Sequence, residues 1–337
     1  MSKGFTRNRS TLFEQPRMNT KHRIAQLAAQ LVAQTVPARI LSSPRHFPIW
    51  ESKGYHILPV HYESPIPSST DLPLELWEKP STMAGVDMRD SAQLSLLEGL
   101  QTRFKTEYDA FPRSATSDRH TFHLNNGWFE KVDAEILYSL VRHLRPARII
   151  EIGSGVTTLL SATAIRKNQQ EDPAYDCSFT CVEPYPVRLD VAALPSNFKV
   201  IPTRAQAVSP DLFRELQAGD ILFIDSSHIC RTGSDVNFEL LEIVPILNPG
   251  VWIHFHDIFL PWEYPQSWVL GARRFLNEQY LLQAFLAFNT KFEVVWGSYY
   301  MLQAHPQELD AAFASFRIDI TTPGTFLPGS FWIRRLS

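Results

Sequence analysis

The sequence predicts an α/β fold built on a doubly wound, mostly parallel sheet. From residue 148 to residue 257, short apolar strand patterns alternate with helical patterns, which is typical of parallel strands covered by helices on both faces. The segment RIIEIGSGVTT, residues 148–158, has the pattern of a strand, a tight turn and the start of a helix. With 44% hydrophobic residues among 337, the chain can bury a large core without disulfides or metals.

The glycine loop inside that segment, Gly153, Ser154 and Gly155, is the first candidate binding element. A bend directly after a strand requires backbone angles that a Cβ hinders, and glycine also lets a ligand approach the main chain. We therefore expect a ligand to contact this loop.

Charge and composition argue against several kinds of partner and location. The net charge of −3 leaves no basic surplus for phosphates, which disfavours nucleic acid as a partner. No apolar run reaches the ~20 residues needed to cross a bilayer, so we expect no membrane partner. Residues 1–23 are basic and lack the apolar region of a secretory signal, which predicts a frayed tail, with a mitochondrial presequence as the alternative. Cys177, Cys181 and Cys230 lack C-x-x-C spacing and indicate reduced thiols in a cytoplasmic protein.

Residues 1–120 are predicted to form an accessory region of helices and an extended arm. Apolar residues at helical spacing predict helices over residues 21–35 and 90–108. Between residues 37 and 80, prolines recur too often for a helix or a central strand, and interleaved aromatic residues argue against disorder. We interpret this stretch as an arm laid over the body, with a flexible linker as the alternative. The expected roles of the region are a lid, a wall of the acceptor site or a homodimer interface.

Residues 121–337 are predicted to form the main domain. A helix over residues 132–144 precedes the alternating region and ends before Pro146. The predicted strands are 148–152, 178–183, 198–202, 221–225, 251–257, 292–296 and 330–334. The predicted helices between them are 157–167, 186–194, 210–216, 235–247 and 266–288.

Polar residues gather at the ends of the predicted strands. Glu151 and the glycine loop end the first strand, and Glu183 ends the second. The fourth strand ends in Asp225, Ser226, Ser227 and His228, and the fifth in His254, His256 and Asp257. In a doubly wound sheet, ligands bind beyond the carboxyl ends of the strands, so these residues predict one site.

The same segments resemble the class I methyltransferases that use S-adenosylmethionine, and among them the macrocin-type and other small-molecule O-methyltransferases. The resemblance lies in EIGSGVTT (residues 151–158), VEP (182–184), FIDSSH (223–228), NPGVWIHFHDI (248–258) and the closing GSFWIRR. It spans roughly the last two thirds of the chain. It implies the Rossmann-like methyltransferase fold, a seven-stranded sheet whose last strand is antiparallel.

The resemblance also implies which residues hold the methyl donor. The loop Gly153, Ser154 and Gly155 would pass beneath the methionine part, with Glu151 near its ammonium group. Glu183 would bind both ribose hydroxyls, Ala205 and Gln206 would lie beside the adenine, and Asp225 would lie near the sulfonium. Thr157 or its neighbours stand where the commonest loop of the family has a third glycine.

The acceptor must lose a proton during the reaction, and His228, His256 and Asp257 are the catalytic candidates. Neutral histidine suits this task near pH 7, with a structural role as the alternative for each histidine. A divalent ion is the other way to activate an acceptor. Related enzymes hold one with carboxylates beyond the fourth and fifth strands, so Asp225 and Asp257 are the candidate ligands of Mg²⁺. Asp235 would complete that site or act as a helix N-cap.

The sequence therefore predicts a methyltransferase that moves a methyl group from S-adenosylmethionine to a hydroxyl of a small-molecule acceptor, such as a sugar or a natural product. A nicotinamide-dependent oxidoreductase is the first alternative. It fits poorly because Thr158 replaces the third glycine of G-x-G-x-x-G and Glu183 lies beyond the ~20-residue spacing of the ribose carboxylate. A methyltransferase-like subunit that binds without catalysis is the second alternative, and several buried carboxylates argue against it because they cost stability.

Overall fold

The computed structural model describes residues 20–118, 120–186, 194–316 and 327–337. The chain divides into two compact units, Met1–Leu72 and Pro73–Ser337. The predicted division into residues 1–120 and 121–337 separates an accessory region from a catalytic one and stays a prediction.

The described part of the first unit contains the helices α1 (Thr20–Thr35), α2 (Ala38–Leu41) and α3 (Phe47–Glu51). The predicted helix over residues 21–35 is confirmed, and its apolar side chains at Ile24, Leu27 and Leu31 are exposed. The prediction that prolines exclude helices from residue 37 onward is wrong at α2 and α3. Proline stands at the N-cap of α2 and in the first turn of α3, where a missing N–H removes no helical hydrogen bond.

A mixed sheet forms the centre of the second unit. Its described strands are β1 (Arg148–Ile152), β2 (Ser178–Val182), β3 (Phe198–Ile201), β4 (Ile221–Ile224), β5 (Trp252–Phe255), β6 (Phe292–Gly297) and β7 (Phe331–Arg335). Across the sheet the order is β3-β2-β1-β4-β5-β7-β6. Strands β1 to β5 pair in parallel, whereas β7 is antiparallel to both β5 and β6. The predicted fold class is therefore confirmed: a doubly wound, mostly parallel, seven-stranded sheet with an antiparallel last strand.

Helices cover both faces of this sheet. The described helices are α4 (Asp90–Tyr108), α5 (Asp133–Leu144), α6 (Val156–Glu171), α7 (Pro210–Arg214), α8 (Asp235–Phe238), α9 (Glu278–Leu286), α10 (Ser298–Ala304) and α11 (Pro306–Ala312), preceded by the 3₁₀ helix Leu74–Trp77. Side chains alternate along each strand, which divides the core into two hydrophobic clusters. Ile149 packs in the cluster with residues of α4, α5 and α6, and Ile150 in the cluster with residues of α7, α8 and α9. Strand β4 is buried on both sides, which explains its continuous apolar sequence.

The predicted helix over residues 235–247 is wrong in its second half. After α8, the chain continues as the π-helical segment Glu239–Ile243 and the 3₁₀ segment Val244–Ile246. Pro245 has no N–H group for a regular helical bond, so the α-helix cannot continue through it.

The predicted helical stretch over residues 266–288 is confirmed in part, because it is interrupted. A π-helical turn, Ser267–Gly271, is followed by a break, and α9 begins only at Glu278. Within the break Arg273 has φ +57°, which is incompatible with a right-handed helix. The side chain of Asn277 accepts a hydrogen bond from the backbone N–H of Cys230 over 2.6 Å, which ties the break to the loop after β4.

The predicted helix over residues 186–194 falls largely on residues 187–193, outside the described residues. The other predicted strands and helices are confirmed, with shifts at their ends. The cysteines are free, and Cys177 and Cys181 are buried, as predicted. Among the helices that the structure describes, none is long and apolar enough to cross a membrane.

Candidate active site

The carboxyl ends of β1, β2, β4 and β5 lie side by side. Backbone hydrogen bonds align them: the N–H of Gly153 donates to the last residue of β2 over 3.0 Å, that of Asp225 to the last residue of β1 over 2.9 Å, and that of His256 to the last residue of β4 over 3.1 Å. The structure therefore brings the glycine loop, Glu183, Asp225 and His256 to one edge of the sheet, as the sequence predicts.

The two glycines of the loop are needed for different reasons. Gly153 has φ +93°, and a Cβ there would lie 2.3 Å from the carbonyl oxygen of Asp225, so only glycine lets the ends of β1 and β4 approach. A Cβ on Gly155 would meet nothing within 4 Å. Gly155 is the N-cap of the 16-residue helix α6, whose first N–H groups favour a negatively charged group. The space beside Gly155 is therefore open to a ligand.

Glu151, the fourth residue of β1, is buried and connects three elements. Its Oε1 accepts a hydrogen bond from Thr157 Oγ1 in α6 over 2.5 Å, and its Oε2 accepts one from Cys181 Sγ in β2 over 3.2 Å. Burial raises the pKa of Glu151 to about 7. Both carboxylate oxygens thus accept hydrogen bonds from within the chain, and the contact with a donor's ammonium group stays a prediction.

Glu183 follows β2 and is half-buried. Its Oε1 accepts the backbone N–H of Tyr185 over 2.7 Å, and its Oε2 accepts the hydroxyl of Ser154 over 3.3 Å. Each carboxylate oxygen has two lone pairs, so each can accept one further hydrogen bond. Glu183 is therefore held in position and still able to bind two neighbouring hydroxyl groups.

Ala205 and Gln206 lie in the 3₁₀ turn Ala205–Ala207 that follows β3. Ala205 is buried, and the side-chain amide of Gln206 donates to the carbonyl oxygen of Gly233 over 3.1 Å. This bond joins the turn after β3 to the loop after β4. The role of both residues beside an adenine stays a prediction.

His228 is the centre of a cluster with three carboxylates, which we call the His228 cluster: Asp225, His228, Asp257 and Glu278. Its Nε2 lies 3.3 Å from Asp225 Oδ1 and 3.7 Å from Asp257 Oδ2. Its Nδ1 lies 2.9 Å from Glu278 Oε2. The ring is buried, so these contacts are poorly screened by water.

The charges of the His228 cluster follow from these contacts. Burial acts to lower the pKa of His228, but the hydrogen bonds to Asp225 and Glu278 outweigh it and hold the pKa well above its usual range. Desolvation acts to raise the pKa of Asp225, but the nearby His256 and His228 outweigh it and bring the pKa to about 2. Near neutral pH, His228 is therefore an imidazolium and Asp225 a carboxylate.

The backbone is strained at two members of this cluster. His228 has φ +59° and Asp257 has φ +55°, and such angles cost a non-glycine residue about 1–3 kcal/mol. The carbonyl oxygen of His228 accepts the N–H groups of Asn277 over 3.2 Å and Glu278 over 3.3 Å. A Cβ on Gly329 would lie 3.1 Å from Asp257 Cα, so the chain before β7 approaches Asp257 closely. Strain of this kind concentrates at functional sites, which supports a functional role for both residues.

Asp257 also interacts with an arginine and a second histidine. Its Oδ2 accepts a hydrogen bond from Arg274 over 3.3 Å, and the Arg274 guanidinium stacks 4.0 Å from the centre of the Trp268 ring. Its Oδ1 lies 3.5 Å from His256 Nε2. The other ring nitrogen of His256, Nδ1, is buried and has no hydrogen-bond partner among the described residues. Of the two candidate histidines, only His256 thus has a nitrogen that is not already directed at a carboxylate.

The residues predicted as Mg²⁺ ligands do not fit a divalent ion. Asp225 and Asp257 face the same point, but His228 Nε2 occupies it. Asp235 Oδ1 accepts the hydroxyl of Ser227 over 2.5 Å, and the structure describes no group of three or more His, Cys, Asp or Glu side chains that could hold a metal. The N-cap role predicted for Asp235 is also wrong, because the hydroxyl of Ser234 fills it by accepting the N–H of Asn237.

Three residues near the site were not predicted from the sequence: Arg274, Glu278 and Asp133. The first two fall within residues 266–288, for which the sequence predicts only helix. Asp133 is the first residue of α5, and its buried carboxylate accepts the N–H groups of Gly329 over 2.8 Å and Ser330 over 3.0 Å. Burial raises the pKa of Asp133. In the sequence, Asp133 stands out only as an acidic residue in a first helical turn. Such a residue usually indicates an exposed carboxylate at a helix terminus.

Comparison with known families agrees with this geometry. Residues 150–258 match the family model of a methyltransferase domain. This segment is similar to methyltransferase domains. The match begins in β1 and ends just after Asp257, so it includes the glycine loop, Glu183 and the part of the His228 cluster that follows β4 and β5. The resemblance to class I methyltransferases is thereby confirmed.

Individual relatives of the methyltransferase domain are distant. An uncharacterised protein of Archaeoglobus fulgidus is 29% identical over 136 residues, which cover 38% of this chain and 58% of that protein. The chain thus spans less than two thirds of the length of this curated relative.

Solved structures show distant similarities as well. The O-methyltransferase TomG of Streptomyces achromogenes, involved in tomaymycin synthesis and solved with S-adenosylmethionine, has 16% identity and a TM-score of 0.36 over 73% of this chain and 90% of its own. An O-methyltransferase of Bacillus cereus, solved with S-adenosylhomocysteine, has 11% identity and a TM-score of 0.35 over 72% of this chain and 91% of its own. Similarity at this level assigns no substrate to this chain.

Proposed function

We propose that the protein transfers a methyl group from S-adenosylmethionine to a hydroxyl group of a small molecule. The observation that carries the proposal is the edge of the sheet in the methyltransferase domain, where the glycine loop, Glu183 and Asp225 meet beside open space at Gly155. A sugar or a natural product is the acceptor class that we favour.

The residues present at this edge suit each part of the donor. The remaining lone pairs of Glu183 can accept both ribose hydroxyls, and the N-terminus of α6 can receive the carboxylate of the methionine part. The carboxylate of Asp225 stays ionised and favours a positively charged sulfonium nearby. When bound, the donor supplies a methyl group on a sulfonium, which is an intrinsically good leaving group.

The protein's own chemical task is to orient the acceptor and to remove its proton. We propose that His256 Nδ1 is the atom that accepts this proton. It is buried and has no hydrogen-bond partner among the described residues. The other nitrogen of His256 faces Asp257, which can hold the ring and stabilise the imidazolium after proton transfer. His228 is poorly suited as the base, because both of its nitrogens face carboxylates and neither offers a free lone pair.

We propose a cytoplasmic protein without a nucleic-acid partner, and a homodimer as the alternative to a monomer. The nicotinamide-dependent oxidoreductase remains the competing enzyme class. The methyltransferase domain match favours the sulfur-containing donor over the nicotinamide.

Calorimetric titration of the purified protein with S-adenosylmethionine, S-adenosylhomocysteine and NAD tests the donor. We expect micromolar binding of the first two and none of NAD. Glu183→Ala should weaken both by about tenfold or more, because two hydrogen bonds to a charged group are lost. Glu215→Ala is the matched control, since this exposed carboxylate lies 4.0 Å from Arg148, at the opposite end of β1. Binding of NAD instead of the sulfur ligands would overturn the proposal.

The acceptor is tested next, with the donor at saturation. Pairs of small molecules that differ only in carrying a hydroxyl or an amine should give methyl transfer to the hydroxyl member. His256→Ala should reduce the rate constant by about 10²-fold or more with little change in donor affinity, as expected for loss of a general base. Methylation of the amines alone would contradict the proposed transfer to a hydroxyl and would show that the acceptor atom is nitrogen.

A further inference from the structure

The first unit of the chain has no hydrophobic core among its described residues. None of the residues described between 20 and 72 is buried, and both hydrophobic clusters consist of residues from Met83 onward. Yet eleven of the eighteen large apolar side chains that are exposed in the described chain belong to this unit. Because folded segments are stabilised mainly by burying apolar surface, this concentration indicates an interaction surface.

Helix α1 carries the most regular part of this surface. Ile24, Leu27 and Leu31 follow the spacing of one helix face and are between 61% and 64% exposed, and Val32 extends that face. Ala28 lies on the same face, and its small side chain lets another helix approach closely. We call these five residues the α1 stripe. A helix of this length is marginal by itself in water, so α1 depends on packing of the stripe.

The charges of α1 indicate which partner fits the stripe. The helix has Lys21 and Arg23 near its N-terminus, contains no Asp or Glu, and has no basic residue in its last turn. Cations are favourable at the C-terminus of a helix and unfavourable at its N-terminus, so neither end of α1 suits its own dipole. A second copy of α1 packed antiparallel corrects both ends. The cations of each helix then lie beside the C-terminal carbonyl groups of the other.

Electrostatic repulsion also favours the antiparallel arrangement over a parallel one. Residues 1–19, which precede α1, include four Lys or Arg and one Glu. In a parallel pair, two such basic segments would start from the same end. In an antiparallel pair, their starting points are separated by the ~24 Å length of a 16-residue helix, about three times the Debye length of ~8 Å.

A lipid surface fits the α1 stripe less well than a second copy does. Helices that lie on membranes carry Lys or Arg along their polar face and aromatic residues among their apolar ones. The polar face of α1 has Gln26, Gln30 and Gln34, and the helix contains no Phe, Trp or Tyr.

We propose that the α1 stripe is a homodimer interface in which two copies of α1 pack antiparallel, with the two-fold axis between Leu27 and Ala28. This position of the axis places Ile24 against the partner's Leu31, and Leu27 against the partner's Ala28. The interface uses residues of the first unit alone and needs neither methyl donor nor acceptor. It therefore stands or falls independently of the proposed function.

Sedimentation equilibrium of the full chain tests the interface. The wild type should be dimeric at micromolar concentration. Leu27→Glu/Leu31→Glu should weaken dimerisation by about a hundredfold or more, because each dimer would bury four carboxylates. The matched control, Gln26→Glu/Gln30→Glu, adds the same charges at the same spacing on the opposite face and should remain dimeric. If near-ultraviolet circular dichroism shows that Leu27→Glu/Leu31→Glu is unfolded, Leu27→Ser/Leu31→Ser is used in the same measurement.

Disulfide cross-linking tests the orientation, in a Cys230→Ser background because the other two cysteines are buried. Ile24→Cys mixed with Leu31→Cys should give a cross-linked dimer after subunit exchange, whereas neither should cross-link alone. In the antiparallel pair, each of these positions lies ~10 Å along the axis from its own copy, beyond the roughly 4.4–6.8 Å between the Cα atoms of a disulfide. Gln30→Cys, on the opposite face, should not cross-link.

The other outcomes contradict the proposal in different ways. A dimer that Leu27→Glu/Leu31→Glu leaves intact would place the interface elsewhere, and cross-linking of Ile24→Cys with itself would show a parallel pair. A wild type that is monomeric at about 0.1 mM would also overturn the proposal. In that case, binding to phosphatidylglycerol vesicles that is lost in Leu27→Glu/Leu31→Glu would assign the stripe to a membrane surface. A lower free energy of unfolding in this variant than in the glutamine control would show that the stripe packs against its own chain.

Discussion

At the scale of single residues, the two glycines of the loop have different surroundings. Gly153 is required by the protein itself, because the carbonyl oxygen of Asp225 lies where its Cβ would be. Gly155 meets no such neighbour, so its lack of a side chain leaves room for something other than the chain. Gly153 is therefore explained by the fold, whereas Gly155 is the position beside which the proposed donor would lie.

Substitution by alanine should affect mainly ligand affinity at Gly155 and mainly the free energy of unfolding at Gly153. Gly155→Ala should weaken binding of S-adenosylhomocysteine by about tenfold or more while destabilising the free protein less than Gly153→Ala, since its methyl group points into ligand space. Gly153→Ala should lower the free energy of unfolding by about 1–3 kcal/mol, from the contact and the positive φ. Urea unfolding and calorimetry measure the two quantities. Unchanged affinity in Gly155→Ala would show that the donor does not lie beside this glycine.

At the scale of secondary-structure elements, Glu151 is the point where β1, β2 and α6 are joined. Its two carboxylate oxygens accept hydrogen bonds from Thr157 and Cys181, while burial raises its pKa to about 7. In the unfolded chain the pKa of this group is near 4.5. The folded protein thus binds a proton that the unfolded chain releases between these two pH values, and this part of the stability is lost as pH rises from about 4.5 to 7.

Glu151→Gln should remove this pH dependence. Compared with the variant, the wild type should lose up to about 2–3 kcal/mol of unfolding free energy between pH 5 and pH 8, because ionisation of a buried carboxyl is unfavourable. Urea unfolding of both proteins at the two pH values gives the difference. Glu215→Gln, at an exposed carboxylate, should show no such change relative to the wild type. If the difference in unfolding free energy between the wild type and Glu151→Gln were the same at pH 5 and pH 8, Glu151 would be ionised at both pH values.

The elements also explain what the sequence could and could not predict. The strands of the sheet and the residues at their ends follow from local patterns: apolar runs, the glycine loop and the carboxylates after them. The helix breaks after residue 238 and before residue 278 depend on Pro245 and on the bond between Asn277 and Cys230. That bond joins residues far apart in the sequence, so helical periodicity could not reveal it. The residues that the second break supplies to the site, Arg274 and Glu278, were missed for the same reason.

At the scale of the whole molecule, the donor should stabilise the unit that contains the sheet. A ligand at a hundredfold excess over its Kd adds about 2.7 kcal/mol to the free energy of unfolding. For a unit of this size, S-adenosylhomocysteine should therefore raise the Tm by about 5 °C or more. Differential scanning calorimetry of the full chain measures the shift. Glu183→Ala should show a much smaller shift at the same concentration, and an equal shift in that variant would place the ligand elsewhere.

The position of β7 has a consequence for synthesis of the chain. β7 is inserted between β5 and β6, although it follows both in the sequence. As the polypeptide leaves the ribosome, β1 to β5 can pair with one another, but β6 has no neighbour until Phe331–Arg335 has emerged. During that interval two strands expose unpaired backbone groups, which are prone to pair with other chains. The nascent protein therefore depends on prompt delivery of its last strand, and pausing between residues 297 and 331 is the step at which aggregation during translation is expected.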